Sequence, residues 1–595
     1  MPAPLRSLPP VPWQITGNHW LTLPCIHPAD ASIHAVALLH RGSRSAVEFA
    51  GGEAFVAGAA PALLKPVLEI DGTRHELASG QMAWERAYGW IPTFTCAIGG
   101  VVIRGTIFAP YGRDADVAGA VYALAIESRA SNDITVRITL EGVLGHRQLR
   151  VRSPRPLTDA HRISRGAEDA ILLQGASPPG LAALAVGAEG ETAVQVDDAR
   201  STFSLARTLR IPAGAREHLA FYIAAGPEAD GAEATVAMLR RRGWRELLTA
   251  TRDALQSLEQ TTGVEAMDRL INRNLLFNYF CSVGRALDDA HYYIVRTRIP
   301  WNGHGITVRD WEALVWVIPA VQLADPPLAR ELLLRACELH GYAPGRGVNY
   351  LDGTLFEPGF TIEGAAAYAV ACDRYIRETG DDQIVEEAVL ADTLYLSSED
   401  INARRDKRVP LYTSEVMLSG GEAPKPFTLH GNAVAALALD VLRRTLDEET
   451  ARQVEDPEAV RAALKRHFTV EKDGKSSFVT ATDLAGSVST EDDPVASVYW
   501  LPLYDAVSRQ DSSYRRTVKA LASEPHQLAQ QCARVMGPDA SSVLQWLRRA
   551  PLDNGVAAEL VDASGKAEAN GGDSALSGLL AWSAWYAVHA LGERP

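Results

Sequence analysis

Cysteine is scarce. The 595-residue chain has six (Cys25, Cys96, Cys281, Cys337, Cys372 and Cys532), with no CxxC pair among them. That argues against a disulfide framework or a zinc ribbon, and thiols set in apolar, helix-like runs read as reduced and buried. No run of about 18 uninterrupted apolar residues occurs, so no membrane span or membrane partner is expected. The first twenty residues, "MPAPLRSLPPVPWQITGNHW", contain one Arg and no apolar core, unlike a signal peptide. These absences together predict a cytoplasmic protein.

Positive charge is short as well. The net charge is −15, and the densest basic run, "RRRGWRE" at 240–246, reads as one face of a helix. Nothing forms the basic stripe that a nucleic-acid partner requires. A Gly-x-Ser-x-Gly elbow, a Gly-x-Gly-x-x-Gly fingerprint and a His/Asp/Glu cluster with metal-ligand spacing are all missing, so neither a cofactor nor a metal is expected. What remains is a globular composition, 47% apolar and 22% charged, in a chain too long for one ordinary core.

Two halves differ in period. From about 30 to 225, short apolar runs such as "VYALAIES", "ITVRITLEG" and "EHLAFYIAAG" alternate with Gly, Pro and Asp, which predicts an antiparallel β-sandwich. Residues 230–262 turn helical and charged, as suits a connecting helix. From 263 onward the apolar spacing is that of helices, with about twelve candidates, among them 309–324, 326–341, 361–378, 382–400, 428–446, 494–508, 512–523, 525–536 and 574–591. Connections alternate between short and long. The long ones (285–308, 342–360, 401–427 and 550–573) are rich in Gly, aromatics and carboxylates. Long loops in a compact domain are usually functional, and loops on every second connection emerge at one end of a ring of helical hairpins. The predicted class is β plus α, multidomain: a β-sandwich over 1–228, a helical linker over 229–262 and an (α/α)6 barrel over 263–595. A plain helical repeat array with variable loops is the alternative.

Four stretches carry a resemblance: "ITVRDWEALVW" (306–316), "YLDGTLFEPGFTIEGAAAYAVACDRYIRETGD" (350–381), "LYTSEVMLSGGEAPKPFTLHGNAVAALAL" (411–439) and "AAELVDASGKAEANGGDSALSGLLAWSAWY" (557–586). In order and placement they resemble the six-hairpin (α/α)6 glycosidases: glucoamylases, processing α-glucosidases and bacterial amylo-α-1,6-glucosidase-like proteins. The resemblance implies an Arg-Asp pair gripping the terminal sugar (Arg309, Asp310), a general acid in the third stretch and a general base at Glu559. The third stretch departs from the family's acid signature, so Glu415 and Glu422 compete for that role, with Glu363 or Glu357 behind them.

Cleaving a glycosidic bond needs one carboxylic acid to protonate the leaving oxygen and one carboxylate to activate water. Glu415, between Tyr412 and Met417, sits where an apolar setting can keep it protonated. Glu422, next to "SGG", is more open, although Gly permits close approach of backbone to sugar. Glu363 stands at a helix entrance. Asp310 either accepts from sugar hydroxyls, oriented by Arg309, or merely faces its helix dipole. Asp352 does the same or makes an Asp-Gly turn. Trp301, Trp311, Tyr350 and Phe356 are candidate stacking surfaces, and His304 and His430 are further candidate sugar contacts.

The expected activity is exo-acting, inverting hydrolysis that releases a terminal sugar, α-glucose first, from a small oligosaccharide or glycoside. A homodimer is possible. One rival is a phosphorylase on the same barrel, kept in view by Arg404, Arg405, Lys407 and Arg408. Others are a non-catalytic carbohydrate-binding protein, and a lyase or epimerase using His304 and His430.

Overall fold

The structure, a computed structural model, describes residues 3–113, 115–521 and 526–595. Its first part is built from three antiparallel sheets rather than a two-sheet sandwich, and strands begin at Gln14–Gly17, ahead of the expected start. A six-stranded sheet runs from Gln14–Gly17 through Ala35–His40 to Pro154–Pro156; an eight-stranded sheet centres on Gly119–Ser128 and Arg216–Gly226; a five-stranded sheet centres on Ile134–Val143. Ile134–Val143 alternates buried with more exposed residues, as a strand covered on one face must. The three sheets share one core, in which Leu38, Leu68, Val136, Phe94, Leu124 and Phe221 are fully or almost fully buried.

The connecting segment is two helices, not one. Ala229–Arg242 packs on the strands Ala183–Ala188 and Arg216–Gly226, and Trp244–Leu258 follows after a break at Gly243. Gly243 has φ +75°, a conformation that ends a helix without the strain a Cβ would bring.

Among the described residues, six helices of the second part form a closed inner ring. In chain order they are the helix ending Glu312–Ala324, then Ile362–Thr379, Leu429–Thr445, Val498–Tyr504, Leu528–Arg534 and Ser574–His589; each packs on the next and the last returns to the first. Helices Glu265–Cys281, Pro326–His340, Ala388–Ala403, Pro457–Phe468, Ser512–Leu521 and Ala540–Leu547 back them from outside. Ser574–His589 is apolar almost all round because both its faces are covered. Glu312–Val317 is a π-helical stretch, a local widening that recurs at functional sites. Val498–Tyr504 is a 3-10 turn rather than the expected helix over 494–508, because Pro502 lies within it. Of the expected helices 512–523 and 525–536, positions 522, 523 and 525 lie outside the described residues. Among the described residues, no helix is long and apolar enough to cross a membrane. All six cysteines are buried and unpaired.

The two parts are joined by buried polar contacts. Arg298 donates to the carbonyl oxygens of Asn18 (3.0 Å), Trp20 (3.1 Å) and Phe280 (3.2 Å). Arg150, on the six-stranded sheet, donates to Glu48 at 2.6 Å and to the Arg298 carbonyl at 3.1 Å. The segment before the first strand runs back across the helices, with Ser7 bridging to Ala569.

Candidate active site

The start of each inner helix faces the same end of the ring, and side-chain caps fix several of those starts. Thr361 accepts from Gly364 N–H at 3.2 Å and Thr428 from Gly431 N–H at 3.3 Å. The two caps open matching sequences, Thr-Ile-Glu-Gly at 361–364 and Thr-Leu-His-Gly at 428–431. The third residue of each meets the other: Glu363 and His430 are 3.1 Å apart, both buried. Glycine in fourth place lets the helices close up, since a Cβ on Gly431 would lie 2.4 Å from Ile362 Cγ2. Asp573 caps the last helix by accepting from Leu576 N–H at 3.0 Å.

At this end lies a cavity of about 530 Å³ whose walls come from both parts of the chain. The helical part supplies Arg296, His304, Arg309, Glu312, Trp316, the 418–420 loop, Pro494, Val495 and Glu559; the β-rich part supplies Ala3, Pro4, Leu5 and Arg152. Glu559 stands on the hairpin Ala558–Val561/Ala567–Gly571. Asn570 Nδ2 donates to its carboxylate at 2.6 Å, and His304 Nε2 lies 3.1 Å away. Burial would push the Glu559 carboxyl up, but the bond and charge of His304, then Arg296 and the Asn570 amide, bring it down to about 2.

Arg296 is fully enclosed between two carboxylates. It pairs with Glu312 and donates to Asp573 at 2.6 Å, and its guanidinium lies 4.9 Å over the Trp316 ring. Burial opposes its charge, but Asp573 and Glu312 outweigh burial and raise its pKa. For Glu312, burial pushes up while Arg296, Arg309, His304 and Arg152 pull down, and the net shift is downward. Both carboxylates on the cavity wall are therefore held ionised. Beside the cavity, sharing Leu418 with it, is a second space of about 30 Å³ lined by Glu363, His430 and Asp493. Burial raises the Asp493 carboxyl, which accepts from Val495 N–H at 3.0 Å and Ser419 N–H at 3.2 Å. No group of three or more His, Cys, Asp or Glu among the described residues is arranged to hold a metal ion.

Solved structures share this fold, two of them along nearly the whole chain. One, described as a kojibiose phosphorylase from the human microbiome, matches with TM-score 0.59 and 10% identity over 99% of this chain and 90% of its own. The other, a bacterial glucoamylase in complex with acarbose, matches with TM-score 0.59 and 10% identity over 100% of this chain and 96% of its own. The glucoamylase-like, six-hairpin fold expected from the four stretches is thus the fold of this chain. No family model matches the sequence, and no curated protein does either.

Of the expected site residues, the cavity gathers Glu559, His304 and Arg309. The two leading candidates for the acid lie elsewhere. Glu415 is about half exposed, 2.7 Å from Arg404; the Phe360 N–H and then Arg404 hold its carboxyl down, the reverse of the expected rise. Glu422 is exposed on the outer side of the same loop, which turns Leu418, Ser419 and Gly420 inward instead. Glu363 and His430 line only the smaller space. Asp310 is buried and accepts from Gly345 N–H at 2.8 Å rather than facing the cavity.

The aromatics do not form the expected sugar platform. Trp301 and Trp311 are core residues, Trp301 donating to Asp553 at 3.4 Å. Tyr350 and Phe356 stack edge to face, with Arg44 and Arg152 over their rings. The loop that carries them ties the two parts of the chain together: Asp352 pairs with Arg44 at 2.7 Å and Glu357 with Arg152 at 2.8 Å. Arg404 and Arg405 are paired with Glu415 and Glu455, and none of the basic group at 404–408 lines the cavity. Unforeseen members of the site are Arg152, Arg296, Glu312, Trp316, Asp493, Asn570 and Asp573. Glu312 was within reach as a carboxylate in the first of the four stretches, just inside the helix that follows the strand Thr307–Arg309. Arg152, from the other part of the chain, had no sequence signal.

Proposed function

We propose that the protein is a carbohydrate-active enzyme, an exo-acting, inverting glycoside hydrolase in which the helical ring serves as an (α/α)6 barrel. Glu559 carries this reading: an ionised carboxylate on the cavity wall, fixed by His304 and Asn570, on the connection before the last inner helix. It would act as the base that takes a proton from water. Asp493 replaces Glu415 and Glu422 as the proposed proton donor. Like Glu363 it lines only the smaller space beside the cavity, but burial raises its carboxyl and both of its backbone partners, Ser419 and Val495, are residues of the cavity wall. The bounded cavity suits a small glycoside, approached from its terminal sugar.

The test is to incubate the protein with a panel of aryl glycosides and disaccharides, with and without phosphate, and to follow the released anomer by proton NMR. Release of the opposite anomer without phosphate, lost in Glu559→Gln, supports the reading. An acid role for Asp493 requires that Asp493→Asn lose turnover of poor leaving groups while keeping it on glycosyl fluorides, which need no protonation. The second reading is phosphorolysis, favoured by the arginines on the wall and by likeness to a structure described as a phosphorylase. Turnover strictly dependent on phosphate would select it.

A further inference from the structure

One arginine of the cavity wall is left without a carboxylate partner among the described residues. Arg296 is taken up by Glu312 and Asp573, Arg152 pairs with Glu357 at 2.8 Å, and His304 is 3.1 Å from Glu559. Among the described residues, Arg309 is the cavity arginine with no carboxylate oxygen within 4.0 Å. Its Nη1 donates to the carbonyl oxygens of Leu418 (2.7 Å) and Met417 (3.4 Å), which fixes the plane of the group. The Nε and Nη2 hydrogens make no bond to the described residues, and that edge of a guanidinium is the fork that takes a carboxylate bidentately. Burial, together with Arg296 and Arg152, already depresses its pKa, although Glu312 opposes them; an anion would relieve that cost.

A neutral sugar is poorly served by these walls. Trp316 is the aromatic lining the cavity among the described residues, and the guanidinium of Arg296 already covers its ring. We propose that Arg309 receives a single negative charge on the terminal sugar, so that the substrate is a glycoside of a uronic acid. This names the substrate class for the hydrolase reading above and rests on it. The pairing favours a carboxylate over phosphate: Arg309 offers one free fork, which a monoanion fills, and the ionised Glu312 and Glu559 repel a dianion more strongly.

The test is calorimetric titration of the whole protein with D-glucuronate, D-galacturonate, D-glucuronamide, D-glucose and inorganic phosphate. A uronate should bind on the order of 10- to 100-fold more tightly than glucuronamide, the scale of a charge-assisted hydrogen-bonded pair. In Arg309→Gln that advantage should vanish, the uronate affinity falling to that of glucuronamide. If the variant does not fold, the comparison of glucuronate with glucuronamide on the unaltered protein decides alone. Equal affinity for acid, amide and glucose overturns the proposal, as does no binding of either uronate. Phosphate binding without a preference for acid over amide assigns Arg309 to free phosphate and overturns it too. Because binding is read without turnover, failure here leaves the hydrolase reading standing, and loss of the hydrolase reading leaves the affinities as measured.

Discussion

Asn570 donates to the Glu559 carboxylate at 2.6 Å while its side-chain Oδ1 accepts the backbone N–H of Arg6 at 2.8 Å. The residue that steadies the proposed base is therefore steadied by the segment that lines the cavity from the β-rich side. Asn570 has φ +45°, so glycine is the replacement that removes the amide without adding backbone strain. In Asn570→Gly the Glu559 pKa should rise from about 2, and the acid limb of the kcat/KM profile should move to higher pH with it. A pH profile that only scales down, with no displacement, would show the amide to be structural.

Glu559→Gln should lower kcat by about 10²- to 10⁴-fold, the usual contribution of a positioned acid or base. The same group leaves a mark on stability. Its folded pKa is depressed to about 2, so its contribution is present above the ordinary carboxylate range and is lost as pH falls through about 2. Urea midpoints measured between pH 5 and pH 2.5 should fall more in the unaltered protein than in the Gln variant.

Asp310 has the opposite sign. Burial raises its carboxyl to about 7 against the pull of the Gly345 N–H and Tyr368. The folded protein thus holds this proton more tightly than the unfolded chain, and stability should drop as pH rises from about 4 through 7. Asp310→Asn keeps an oxygen for Gly345 and has no proton to lose. Its midpoint relative to the unaltered protein should be higher at pH 8 than at pH 5.

Glu415→Gln should leave kcat/KM within about a factor of three and cost no more than about 1 kcal/mol, as expected for one partner of an exposed ion pair. A loss of 100-fold would return the acid role to Glu415.

The alternation of short and long connections made the helical ring legible, because apolar spacing reports which segments are helices and loop length reports which end they crowd. Glu559, the proposed base, was singled out by its order along the chain. The proposed proton donor, Asp493, was not. In the 411–427 loop the sequence offers two glutamates, and only the backbone path shows that Leu418, Ser419 and Gly420 take the inward positions. Trp301 and Trp311 misled for a different reason: an aromatic beside a loop packs a core as readily as a sugar, and both are buried. Arg152 came from a part of the chain whose local pattern speaks only of strands, and Ala3–Leu5 from a Pro-rich start that carries no periodic signal.

The pairing of Arg6 with Asn570 spans 564 residues. Neighbouring hairpins of the helical ring can form from contacts a few tens of residues apart, whereas this closure must wait until both parts of the chain have taken shape. On refolding from denaturant, the helical signal should return first and catalytic competence later. The lag between them would time the arrival of the N-terminal segment at the hairpin that bears Glu559.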